Sequence, residues 1–154
     1  MAGTAKLVGT LTYPSGQITN EHVSSSAAID SDKLQHLHKK GTNFALAIGG
    51  TPAAYEEIVY VCEAATAAVR GFHALLNDTG TGTSVTFDLK KNGTTMLSSV
   101  VTITDAGADR AVSDGTLSAT ALVAGDVLSI VLAQTATTGA QGPFAWVEID
   151  ETAG

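Results

Sequence analysis

The sequence predicts an all-β protein, a sandwich of eight antiparallel strands preceded by an extended N-terminal arm. Three observations carry this. Residues 83–91 alternate, with Val85, Phe87 and Leu89 on one side and Thr86, Asp88 and Lys90 on the other. That period of two marks a strand with one buried face. Asn92-Gly93 then separates this run from a second one, 94–103, and Asn-Gly between two such runs predicts a type I′ hairpin turn, which needs positive φ at both central residues. Further on, Gly125-Asp126 forms a turn and leads into a nearly continuous apolar strand.

Residues 1–42 contain few large apolar side chains, and these are scattered: Leu7, Val8, Leu11, Tyr13, Ile18, Val23, Ile29, Leu34 and Leu37. Such a segment cannot build a core alone, so the domains are expected to be an arm over 1–42 and a folded domain over 43–154. Asp30 suits the cap of a short helical turn from Ser31 to His38. The alternative is that the arm supplies an edge strand to its own domain. Strands are expected over 43–48, 55–64, 67–76, 83–91, 94–103, 116–122, 126–134 and 144–150. Turn residues separate them at Gly49 to Pro52, Asn77 to Gly82, Asn92-Gly93, Asp105 to Asp114, Gly125-Asp126 and Gly139 to Pro143. Residues 62–70 are Ala-rich and ambiguous, but the neighbouring Ile58-Val59-Tyr60-Val61 run argues for strand. Several strands are apolar on both faces, where a plain sandwich keeps one face wet, and this points to an oligomer.

Composition narrows the function. Of 154 residues, 44% are hydrophobic but only 5% aromatic, so the core rests on small and β-branched side chains. The net charge of −7 with eight basic residues argues against binding to nucleic acid, which needs clustered Lys and Arg. The single cysteine, Cys62, excludes an intrachain disulfide and is expected in the core as a small hydrophobe. No run approaches the ~20 apolar residues that span a bilayer, and the N-terminus lacks the pattern of a signal peptide. Synthesis in the cytoplasm and no membrane partner are therefore expected.

No residue pattern points to catalysis, and no cofactor is expected. His36 and His38 would share a face on a strand, and a trimer would offer six such nitrogens to a metal, but exposed histidines in an arm are the simpler reading. His22 has no partner pattern; His73 alternates with Val69, Gly71 and Leu75 and is expected in the core or at an interface. No Gly-x-Ser-x-Gly elbow is present. Glu56-Glu57 and Glu148-Asp150-Glu151 are paired acids, yet a glycosidase cleft is lined by aromatics, and here they are expected to be solvated. Asp105 to Asp109 lacks the spacing of a calcium loop. The glycines of residues 78–83 lack the Lys and the following helix of a phosphate cradle. These two loops are the best places for a binding surface.

The stretches FDLKKNGTT and ALVAGDVLSIVL resemble the hallmark pair of trimeric C1q/TNF-type jelly rolls, which recur in small virion proteins. The matching positions are Phe87, Leu89, Asn92, Gly93, Leu122, Gly125, Asp126 and Val127. The Ser/Thr/Ala-rich opening over roughly residues 17–38 is similar to the arm of tailed-phage head decoration (cement) proteins. The resemblance implies an eight-stranded jelly roll assembled as a homotrimer on the virion surface, with the major capsid protein as partner. It implies trimer packing by Tyr60, Phe72, Phe87, Phe144 and Trp146, and shell contacts by Leu7, Leu11, Ile18, Val23, Ile29 and Leu34. The alternative it leaves open is a receptor-binding or fibre-tip jelly roll whose loops recognise a host glycan.

Overall fold

The computed structural model describes residues 35–43 and 49–152, and within the first strand the side chain of Lys40 alone. The chain divides into Met1–Asp30 and Ser31–Gly154, and everything described belongs to the second unit. The described residues contain strands and no helix. Ten segments run β1 (Gln35–Asn43), β2 (Tyr55–Val61), β3 (Thr66–Asp78), β4 (Thr83–Lys91), β5 (Thr94–Thr95), β6 (Val101–Thr104), β7 (Ser113–Asp114), β8 (Ala121–Val123), β9 (Val127–Thr137) and β10 (Gln141–Thr152).

All pairings are antiparallel, in two sheets. Sheet A is ordered β1-β10-β3-β7, with β8 also on β3; sheet B is ordered β2-β9-β4-β5, with β6 also on β4. Segments β5 and β6 pair with the same strand, as do β7 and β8, so each couple fills one strand position. Numbered by position, the sheets read 1-8-3-6 and 2-7-4-5. This is the eight-stranded jelly roll, two sheets wound around one interior.

The interior follows the period of two. Val85, Phe87 and Leu89 of β4 and Leu128, Ile130 and Leu132 of β9 meet Val69, Phe72, Ala74 and Leu76 of β3 and Ala145, Val147 and Ile149 of β10. The Asn92-Gly93 turn has the expected geometry, with φ of 50° and 81°, and joins Lys91 to Thr94 as a two-residue hairpin. Tyr60 in sheet B donates a hydrogen bond to Glu151 in sheet A. Burial, reinforced by that bond, pushes the Tyr60 phenol far above its usual range, so it remains a neutral donor clamping the two sheets together.

Several expectations are corrected. Residues 35–43 are neither arm nor helix: they pair with β10 from Gln35↔Thr152 to Asn43↔Phe144, because an exposed edge of β10 satisfies their backbone groups better than one capped turn does. The sheet therefore begins before residue 43, as the edge-strand alternative anticipated. Of the strand expected over 43–48, residues 44–48 lie outside the described residues. The strand expected over 94–103 is interrupted, since consecutive Met96 and Leu97 are both buried and a flat strand cannot turn two neighbours inward. The strand expected over 116–122 shortens to β8, preceded by a single bridge between Leu97 and Leu117. Segment β7 occupies part of what was expected to be a turn.

Candidate functional site

The outer face of sheet A is the candidate site. Across it, β10 and β3 set Phe144 opposite Leu75, Trp146 opposite His73, and Glu148 opposite Gly71. All of these are partly exposed. Trp146 stacks on His73 with ring centroids 4.9 Å apart and an interplanar angle of 25°. Phe144 lies 5.8 Å from Trp146, tilted by 34°. Nδ1 of His73 lies 2.7 Å from Oδ1 of Asp114 on β7, and its Nε2 is 3.9 Å from Glu148. A Cβ at Gly71 would come within 2.6 Å of the imidazole Nε2, so the glycine leaves space for the ring. Arg70 closes the row, donating from Nε and Nη2 to Oδ2 of Asp150 at 3.1 and 2.6 Å.

A bulge sets this arrangement. The register between β3 and β10 shifts between Glu148 and Ile149, leaving Arg70 as an extra residue. Val69 before it points into the core and His73 after it points outward. Simple alternation had placed these two on one face, and the extra residue reverses that. His73 is partly exposed on the outer face of sheet A and not in the core, the first of the two places expected for it.

The residues implied for trimer packing separate. Phe144 and Trp146 lie together on this face. Phe72 and Phe87, both 0% exposed, are inside the subunit's own core and offer no surface to a neighbour. Tyr60 is buried and engaged with Glu151. The expected shell-contact residues Leu7, Leu11, Ile18, Val23, Ile29 and Leu34 lie outside the described residues. So does His22, while His36 and His38 fall on β1, opposite Glu151 and Ile149 in register. Cys62 is buried as expected. His73 with Asp114 is what sequence reasoning missed: 41 residues separate them, and only the pairing of two-residue β7 with β3 brings them together.

At one end of the sandwich the loops brace each other. Asp109 Oδ1 accepts from the Thr79 backbone N–H at 2.9 Å and from the Thr79 hydroxyl at 3.1 Å. Asp105 accepts from the Gly82 N–H at 2.9 Å, and Asp78 from the Gly80 N–H at 2.8 Å. These carboxylates engage the backbone donors that a phosphate cradle would have offered.

At the other end the two hallmark stretches meet. Asn92 donates from Nδ2 to Oδ1 of Asp126 at 2.7 Å and accepts from the Val127 N–H at 2.9 Å. Asp126 Oδ2 accepts from the Val123 N–H at 2.9 Å, with Lys91 Nζ at 3.7 Å. The Val123 hydrogen bond, then Asn92 and then Lys91, hold the Asp126 carboxyl below the usual carboxylate range.

Among the described residues, no group of three or more His, Cys, Asp and Glu is placed to hold a metal, and no helix is long and apolar enough to cross a membrane. No protein family matches the chain, and no curated protein resembles it closely enough to count as a relative.

Proposed function

We propose that the protein is a structural virion component, a decoration or cement protein that binds the outer surface of a phage head shell as a homotrimer and holds adjacent capsomers together. The observation that carries this reading is the aromatic outer face of sheet A. A sandwich that stayed alone in water would keep that face polar, whereas Phe144, Trp146, Leu75 and the stacked His73 make it a surface suited to a second copy. The jelly-roll winding of the two sheets supports the same reading.

The mechanism is mass action. A subunit that binds the assembled shell but not its separated parts stabilises the shell. Three linked copies raise the effective concentration of each contact. The segment before β1, with Leu7, Leu11, Ile18, Val23, Ile29 and Leu34, is the proposed contact with the major capsid protein. A second reading, a receptor-binding or fibre-tip domain for glycans, is favoured by the mutually braced loops around Thr79, Asp105 and Asp109, which present a preorganised surface.

The test is co-sedimentation with shells of the cognate capsid protein, using the full chain and a chain lacking residues 1–30. A longer deletion to residue 42 would remove most of β1. Decoration predicts that the shortened chain remains trimeric and loses shell binding. A full chain that does not sediment with shells, or whose loops bind sugars instead, would overturn it in favour of the fibre-tip reading; shell binding retained by the shortened chain would overturn the assignment of the contact to the segment before β1.

A further inference from the structure

We infer that Asn92 is a deamidation site that folding holds shut, and that its conversion, once made, opens the turn it belongs to. The inference stands whatever the subunit binds. Of the four asparagines in the chain, only Asn92 precedes a glycine, and both residues of that pair are exposed to water. Glycine has no side chain to shield its backbone nitrogen, so that nitrogen can reach the neighbouring amide. In the reaction the Gly93 nitrogen loses its proton and bonds to Cγ of Asn92. The Cγ–Nδ2 bond breaks, and Nδ2 leaves as ammonia with that proton. Water then opens the resulting succinimide ring at either carbonyl, leaving aspartate or isoaspartate in place of Asn92.

The fold opposes the first step. Nδ2 donates to Asp126 Oδ1 at 2.7 Å and the amide oxygen accepts from the Val127 N–H at 2.9 Å, so the amide is held at both ends. The Asn92 N–H donates to the Val127 carbonyl at 2.9 Å, and Lys91 pairs with Thr94 across the turn. Attack needs Cγ to swing away from the 123–127 turn and onto the Gly93 nitrogen, which breaks the side-chain bonds. The product cannot restore them. A carboxylate oxygen would stand where Nδ2 now meets Asp126, and two acceptors of like charge repel. Lys91 Nζ, 3.7 Å from Asp126, balances one of the two charges. Isoaspartate would also add a carbon to the main chain inside a two-residue hairpin and disturb its register.

The test incubates the purified full chain at mildly alkaline pH, folded in buffer and unfolded in guanidinium chloride, and follows conversion at Asn92 by peptide mass spectrometry. The expected result is conversion at least about tenfold faster in the unfolded chain, and slowed there by Gly93→Ala. Asp126→Ala, compared in buffer below its own Tm, is expected to convert faster than wild type. Asn92→Asp, which supplies the product directly, is expected to lower Tm at neutral pH. Conversion as fast in buffer as in denaturant, no conversion in either, or an Asn92→Asp chain as stable as wild type would each overturn the inference. A folded Asp126→Ala chain that converts at the wild-type rate would overturn the part given to the Asp126 contact. The wild-type comparison and the Asn92→Asp measurement decide the inference even where Asp126→Ala does not fold. Shell binding and oligomer mass do not enter these readouts, so this inference and the decoration reading fail separately.

Discussion

Across sheet A the outer rows run Leu75 to Phe144 and His73 to Trp146. Across sheet B the outer rows run Ser129 to Lys90, Val131 to Asp88 and Ala133 to Thr86, continuing to Thr102 on β6. Both faces stand on one interior and obey the same alternation, so folding accounts for what points inward on each. It does not account for a tryptophan, a phenylalanine and a histidine clustered outward on one sheet, while threonine, aspartate and lysine cover most of the other. The outer face of sheet B is what a strand needs to live in water; that of sheet A carries the aromatic cluster on which the proposed subunit contact rests. Ile58 and Val61 of β2, exposed on the outer side of sheet B, are the exception, and they lie at an edge and not across the centre.

The comparison breaks most completely if the shared interior is removed. Phe72→Ala or Phe87→Ala is expected to cost about 3–5 kcal/mol of unfolding free energy, read by urea denaturation, because each ring is fully enclosed. Asn92→Ala comes next, at about 1–3 kcal/mol. It loses both links to the 123–127 turn and places alanine at a φ of 50°. Trp146→Glu sharpens the comparison: it removes the stack on His73, costs the subunit about 1 kcal/mol, and is expected to abolish self-association. The matched change on sheet B, Thr86→Lys, is expected to stay within about 0.5 kcal/mol and leave assembly intact.

The smallest effect concerns acid. Because folding holds the Asp126 carboxyl below its ordinary value, its contribution is fully present above about pH 4 and is lost as the pH falls through the lower folded value. Asp126→Asn should therefore lower Tm at neutral pH, and its gap from wild type should close on acidification. A gap that stays constant with pH would show that the carboxylate's charge is not what holds the turn.

Local chemistry made part of this fold legible. The hairpin at Asn92-Gly93 and the alternation of β4 declare themselves within a dozen residues. The bulges at Val59 and Arg70 do not, because one extra residue leaves composition unchanged while reversing the faces beyond it; this is why Ile58 is exposed although it alternates with buried Tyr60 and Cys62. Strand β1 exists through its pairing with β10, more than a hundred residues away, and nothing in its own polar sequence announces it. Phe144 and Trp146 were visible as candidates for packing, but Phe72 was indistinguishable from them until the two faces of β3 were assigned, whereas Phe87 already stood on the apolar side of the alternating run 83–91. The Asn92–Asp126 link joins two motifs that each read as isolated turns.

The measurement that tests the central claim most directly is the sedimentation mass of wild type, Trp146→Glu and Thr86→Lys at matched concentration. The account predicts three times the 15.6 kDa of one chain for wild type and Thr86→Lys, and a folded single subunit for Trp146→Glu. A wild type that sediments as one subunit, or a Trp146→Glu chain that still forms the trimer, would contradict the assignment of the aromatic face of sheet A to subunit contact.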